Sequence, residues 1–246
     1  MGASLHSYGA ASAGNAWISK SLIYGIQQLL NDGVKPDEIL AAVMWSGIDR
    51  KDVFISSNET FNFRSLMSGA GANPVNFIDE SINGHWESNL VDGYLFGSVG
   101  CNFENKRVND FKRRLIGEFF SNEALAIESY ENFLRLQWYC NSHGIKLINQ
   151  TYMDIMHYPT YSYSDPGACQ ISLTKSHFKR NIGPLSEMID FTKWIFWKDS
   201  GGLYEYTRDN KLQFNGDDFH PHVDSHAYYA RNFLLPAIRE RFTDIV

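Results

Sequence analysis

Cysteine is scarce, basic residues form no long block, and no part of the chain is continuously apolar for long. The 246 residues contain three cysteines, Cys101, Cys140 and Cys169. They are odd in number and widely spaced, with no Cys-x-x-Cys pair, which excludes a disulfide framework and a cysteine zinc site and leaves reduced thiols. Twenty-two Lys and Arg stand against 28 Asp and Glu, a net charge of −6, and the longest basic run is Lys112-Arg113-Arg114. No positive field is available to draw a phosphate backbone, so nucleic acid is excluded as a partner. Residues 1–20 lack the basic start and apolar run of a signal peptide. No segment approaches the ~18 consecutive apolar residues of a membrane span, so no membrane partner is expected. No internal repeat, low-complexity tract or Pro/Ser-rich linker divides the chain, and residues 1–246 read as one domain.

What is present is core material: 43% of residues are apolar and 15% aromatic, ample for a packed interior. From Ala16 to Leu30, apolar residues recur at helical spacing and stop at Asn31-Asp32-Gly33. Ile39–Trp45 (ILAAVMW) is short, continuous and apolar, as a strand buried on both faces of a parallel sheet is. Residues 58–100, rich in Asn, Ser and Gly, show no sustained period and read as an irregular insertion. Glu118–Ser142 carries the pattern of a long helix ending at His143-Gly144. Ile145–Met153 reads as a second buried strand and Ser225–Phe242 as a last helix, interrupted at Pro236. Strand, long crossover and strand in this order imply α/β layers around a parallel sheet.

Chemistry concentrates near the last helix. His220 lies in the loop Asn215-Gly216-Asp217-Asp218-Phe219-His220-Pro221. An acid three residues before a His can hold Nδ1–H and fix the tautomer, leaving the other nitrogen to take a proton from a nucleophile. Pro221 restricts the residue ahead of it to extended conformations, which keeps the ring presented. The competing reading is a surface His beside solvated acids.

Asp217-x-x-His220-Pro221 before a terminal helix resembles the last block of the SGNH (GDSL-like) hydrolases. Two further stretches are similar to blocks of that family: Tyr8-Gly9-Ala10-Ala11-Ser12-Ala13-Gly14-Asn15-Ala16-Trp17-Ile18, and Val43-Met44-Trp45-Ser46-Gly47-Ile48-Asp49-Arg50. Order and spacing look most like the SGNH-related proteins of tailed bacteriophages, across about a third of the chain. The resemblance implies a flavodoxin-like three-layer α/β/α fold with a parallel sheet. It also implies a Ser-His-Asp ester hydrolase without a cofactor, acting on a small-molecule or glycan ester, and a cytoplasmic or virion-associated location. Carried over by position, His220 is the general base, Asp217 its orienter and Gly14 a backbone oxyanion donor, with Asn15 capping the following helix. The third stretch occupies the place of the block whose Asn completes the oxyanion hole, and departs from it.

The family's Gly-Asp-Ser nucleophile block has only an imitation here, Gly2-Ala3-Ser4, with no apolar strand ahead of it. Three readings stay open: the first strand lies upstream of Met1, another chain supplies strand and serine, or hydrolysis is lost and a binding cleft kept. Ser46 follows a strand, where α/β sites form, yet lacks the Gly-x-Ser-x-Gly elbow; it reads as a polar group lining the pocket. Asp49 and Arg50 either pair with each other or orient a substrate anion. An incomplete sheet edge invites a second strand, so self-association is expected.

Weaker signals fall away. Gly69-Ala70-Gly71-Ala72-Asn73-Pro74 follows no strand and lacks Lys-Ser/Thr, which argues against a phosphate loop. His220, His222 and His226 with Asp217, Asp218 and Asp224 are of the right types for zinc or manganese, and His222 and His226 would share a helix face only if the helix began before His222, which Pro221 allows; no metal is expected. Trp194, Phe196, Trp197, Tyr204 and Tyr206, with Tyr158, Tyr161 and Tyr163, are either core packing or the aromatic wall of a carbohydrate cleft.

Overall fold

The computed structural model describes residues 4–7, 14–48, 50–55, 93–98, 122–155, 183–216 and 220–242. Helix α1 spans Asn15–Asn31 and strand β1 spans Leu40–Trp45. A second pair of strands follows, β2 at Arg50–Ile55 and β3 at Gly93–Ser98. Helix α2 covers Asn122–His143 and leads into β4, Lys146–Thr151. The chain continues through α3 (Gly183–Glu187), α4 (Leu203–Asp209) and α5 (Val223–Tyr229). It ends in a π-helical segment, Ala230–Leu234, and α6, Leu235–Arg241.

Strands β1 and β4 pair in parallel, in a register that runs from Leu40 opposite Lys146 to Trp45 opposite Thr151. Parallel neighbours need a crossover, and α2 occupies it. Beyond β4 a single parallel bridge joins Asn149 to Trp194, with the Ile195 N–H donating to the Asn149 carbonyl at 2.8 Å. The parallel order is therefore β1, β4 and the residues around Trp194. Described helices and a small parallel sheet make this an α/β protein.

Both predicted helix stops have the expected cause. Gly33 (φ 88°) and Gly144 (φ 69°) adopt left-handed backbone that a side chain strains against. After Gly144, the Ile145 N–H reaches back to the Cys140 carbonyl at 2.9 Å, closing α2. Helix α2 packs on α1 and buries Leu125, Ala126, Tyr130, Phe133, Leu134, Leu136 and Cys140. Trp138, although it fits the apolar period, is 54% exposed. The centre of the core is Trp45, fully buried, its ring 4.6 Å from Phe133 and its Nε1 donating to Asn149 Oδ1 at 2.9 Å. Phe133 in turn meets Trp194 edge-on at 5.3 Å. Burial, opposed by the charge of Lys193, pushes the Cys140 thiol up to about 12, which makes it an inert core group.

One expectation changes and two are sharpened. The stretch 58–100 is not irregular throughout, because Gly93–Ser98 forms β3 and pairs antiparallel with β2, Arg50 opposite Ser98. Six residues bounded by glycine are too few to display a period, and their partner is remote in sequence. The last helix runs on past Pro236, with the π-helical segment Ala230–Leu234 just ahead of it. Proline has no N–H for the Asn232 carbonyl, and widening the preceding turn absorbs the missing bond. Among its described members the aromatic group is mostly core. Trp194 and Tyr206 are buried, and Trp197 packs edge-on against Tyr206 at 4.8 Å and Phe233 at 5.4 Å. Tyr158, Tyr161, Tyr163, Gly69–Pro74 and 118–121 lie outside the described residues. No helix among the described residues is long and apolar enough to cross a membrane.

Candidate functional site at the end of the parallel sheet

In α/β sheets, ligands bind beyond the carboxyl ends of the strands. Here that end is lined by Ser46 after β1, Tyr152 after β4, the start of α1 and the loop carrying His220.

The first group is a clamp. Gly14 occupies the N-cap position of α1 in extended conformation, and its carbonyl accepts the Ile18 N–H at 3.1 Å. Asn15 is the first helical residue, so it is not the cap. Its side chain turns to the end of β1 instead. Oδ1 accepts the Ser46 N–H at 2.9 Å, and Nδ2 donates to the Ser46 carbonyl at 3.2 Å and to Ser129 Oγ at 3.0 Å. A primary amide has two N–H donors, and both are engaged. Asn15, 2% exposed, therefore imitates a neighbouring strand for Ser46 and has no donor left for a developing oxyanion. The Ser46 N–H is engaged as well, while its hydroxyl makes no hydrogen bond to another described residue.

His220 lies beside Tyr152, the residue that follows β4. Residues 213–215 and 220–222 form a short hairpin: Phe214 bridges Pro221, the Asn215 N–H donates to the His220 carbonyl at 2.9 Å, and the His222 N–H to the Gln213 carbonyl at 2.9 Å. Gly216 turns the chain with φ 51°. Ser225 Oγ fastens the hairpin to α5 through the Gln213 carbonyl at 2.7 Å. His222 caps α5, its Nδ1 accepting the Asp224 N–H at 3.3 Å. His220 is exposed, and its ring lies 5.9 Å from that of Tyr152, inclined at 39°. Partial burial lowers the pKa of His226. The charge of His220 adds to this, and a hydrogen bond to the Pro221 carbonyl opposes it. Asp217 and Asp218 lie outside the described residues, as does Asp49, so neither the Asp217–His220 contact nor the Asp49–Arg50 pair is on view. Arg50 opens β2, half-buried.

Ser4 is not brought to His220. It lies in an exposed segment with its Oγ 3.4 Å from Nε2 of His6.

Sequence reasoning missed the polar knot that closes the end of β4. Glu205, 5% exposed, accepts the Gly202 N–H at 2.7 Å and the Asp154 N–H at 3.1 Å, while Ser200 Oγ donates to Asp154 Oδ2 at 2.6 Å. The Tyr204 N–H completes the junction on the Tyr152 carbonyl at 2.8 Å. Gly202 has to be glycine, because a Cβ there would stand 2.0 Å from the Thr151 carbonyl oxygen. The available signal was Gly201-Gly202 with Glu205 three residues on, the spacing of a reciprocal helix start. Among the described residues, no group of His, Cys, Asp and Glu is arranged to hold a metal ion.

Chemically, the arrangement presents an imidazole at the strand ends beside half-buried aromatic rings, on a scaffold fixed by two buried polar junctions. Compared with protein-family models, curated proteins and solved structures, the chain matches none of them.

Proposed function

We propose that this chain is an SGNH-like α/β hydrolase that cleaves an ester, an O-acyl group on a glycan, on a flavodoxin-like three-layer fold. The observation that carries the reading is the position of His220, presented on a hairpin at the carboxyl end of β4. That is the edge where α/β enzymes act. The order β1, β4 and Trp194 agrees with one half of a flavodoxin-like sheet, in which later strands add successively on one side. In this reading Asp217 orients His220, and His220 takes the proton of a serine hydroxyl as its oxygen attacks the ester carbonyl. The Gly14 N–H faces the oxyanion, His220 returns the proton to the leaving alcohol, and His220 then takes a proton from a water that attacks the acyl-serine, releasing the acid and restoring the serine hydroxyl. The serine is Ser4 or one that another polypeptide supplies.

A second reading is favoured by a specific observation: Ser4 stands apart with His6, and the Asn15 amide is engaged in structure. In it, the chain is an SGNH-fold binding or virion component without turnover. Hydrolysis of p-nitrophenyl acetate by the wild type and by His220→Ala separates the two, with fluorophosphonate labelling and peptide mapping alongside. The hydrolase reading expects turnover that His220→Ala lowers by about 10³-fold or more. Turnover unchanged in the variant removes His220 from the mechanism, and a folded protein that neither turns over nor labels leaves the binding reading.

A further inference from the structure

We propose that the open edge of β1 pairs antiparallel with the β1 of a second copy of this chain, about a two-fold axis at Ala42, so that two sheets join into one. The inference is independent of what the His220 site does. In a parallel ladder a residue turns its N–H and C=O to one side, and the next residue turns its own to the other. The Trp45 carbonyl accepts the Tyr152 N–H at 3.0 Å, so in the observed register Ala41, Val43 and Trp45 face β4. Leu40, Ala42, Met44 and Ser46 face away from it. The Asn15 amide agrees, because it meets the N–H and the carbonyl of Ser46 on that side. It satisfies that one rung. Among the described residues nothing bonds to the outward N–H and C=O groups of Leu40, Ala42 and Met44. Packing does not seal the edge either, since Ala42, in mid-strand, is exposed while Ala41 and Val43 are buried.

A row of unpaired backbone groups on an extended strand is complementary to another extended strand. A second copy fits this edge in particular. Leu40–Trp45 contains no charge and no proline, the guards that keep edges from meeting their own kind, so two such edges approach without repulsion. Paired about Ala42, Leu40 stands opposite the partner's Met44, and Ala42 opposite the partner's Ala42. Each opposed pair then exchanges both of its hydrogen bonds. The outer pairs are apolar, and the smallest side chain of the three lies at the axis, where two copies share the space. Asn15, by occupying Ser46, ends the ladder at that rung. Two-fold closure stops the assembly at two chains. Because the joined strands run in opposite directions, the carboxyl ends of the two parallel sheets, each with its own His220 hairpin, point away from each other.

Light scattering of the full chain across a concentration series reads its mass, and cysteine cross-linking reads the register against the wild type, whose native cysteines set the background. The expected mass is that of two chains. In Ala42→Cys the opposed Cα atoms of a bonded antiparallel pair stand about 5.5 Å apart, within disulfide reach, so mild oxidation should give a covalent dimer. Leu40→Cys should not link to itself and should link when mixed with Met44→Cys. Ala42→Pro removes an outward N–H that β4 does not use, and Ala42→Lys sets like charges together at the axis. Both should yield monomers, with thermal melts confirming that each is folded. A wild type that stays monomeric at every concentration overturns the proposal. So does a dimer that survives Ala42→Lys and that Ala42→Cys fails to link, because the copies then meet through another surface.

Discussion

At the carboxyl end of the sheet, the junction of Asn15 with Ser46 and the hairpin of His220 are built in opposite ways. Asn15 is 2% exposed and engages three partners through its amide. His220 is exposed, its backbone carbonyl bonded to Asn215 and its ring beside Tyr152. A buried, saturated amide contributes by keeping its partners' polar groups out of an unsatisfied state, so losing it acts on stability. An exposed imidazole on a braced loop contributes little to folding, so losing it acts on whatever chemistry the loop performs. In the proposed reading, two residues at one end of one sheet thus divide scaffold from function.

Asn15→Leu breaks that comparison most severely. It strands the Ser46 N–H and carbonyl in a buried site and removes a partner from Ser129, at a cost of about 3 kcal/mol. A chain of this size should then melt about 6–12 °C lower in calorimetry. His220→Ala, measured in the same way, should change stability by no more than ~0.5 kcal/mol. Equal losses in the two variants would erase the division. Glu205→Gln gives the next largest effect and tests whether the far side of the site is also scaffold. Its carboxylate accepts the Gly202 and Asp154 N–H groups, whereas an amide has a single acceptor oxygen and turns a donor towards the other. A loss of about 2 kcal/mol in urea unfolding is expected. An unchanged midpoint would mean that the Gly202 junction holds without a charge.

The elements that dominate the core were legible because their signals are local. The helical period of α1 ends at Gly33, that of α2 ends at Gly144, and Ile39–Trp45 and Ile145–Met153 bracket the two central strands. The β2–β3 pair was not legible, since its pairing joins residues such as Arg50 and Ser98 whose complementarity appears only in three dimensions. The site divided along the same line. Asn15 and Ser46 were both picked out and do bond to each other, yet their types could not tell a ligand-facing amide from one that imitates a strand. That depends on which acceptors lie within about 3 Å of Nδ2. Glu205 escaped notice because a buried carboxylate between two backbone N–H groups has the same sequence signature as any glutamate in a first helical turn.

The smallest effect sharpens the comparison at the boundary between its two halves, where His226 links α5 to the His220 hairpin. Partial burial lowers its pKa below the ordinary histidine value, the neighbouring His220 lowers it further, and the hydrogen bond to the Pro221 carbonyl works against both. The folded chain therefore takes up this proton less readily than the unfolded chain. The neutral ring's contribution is present above the unfolded value of 6.5 and is lost as the pH falls through the depressed folded value. Urea midpoints should decline shallowly between pH 7 and pH 5, and His226→Gln should flatten that decline. In His220→Ala the His226 ring, followed by NMR, should titrate at higher pH than in the wild type, because one nearby cation has gone. Should it keep its wild-type titration, burial alone sets its protonation, and the hairpin is electrically separate from the helix that carries it.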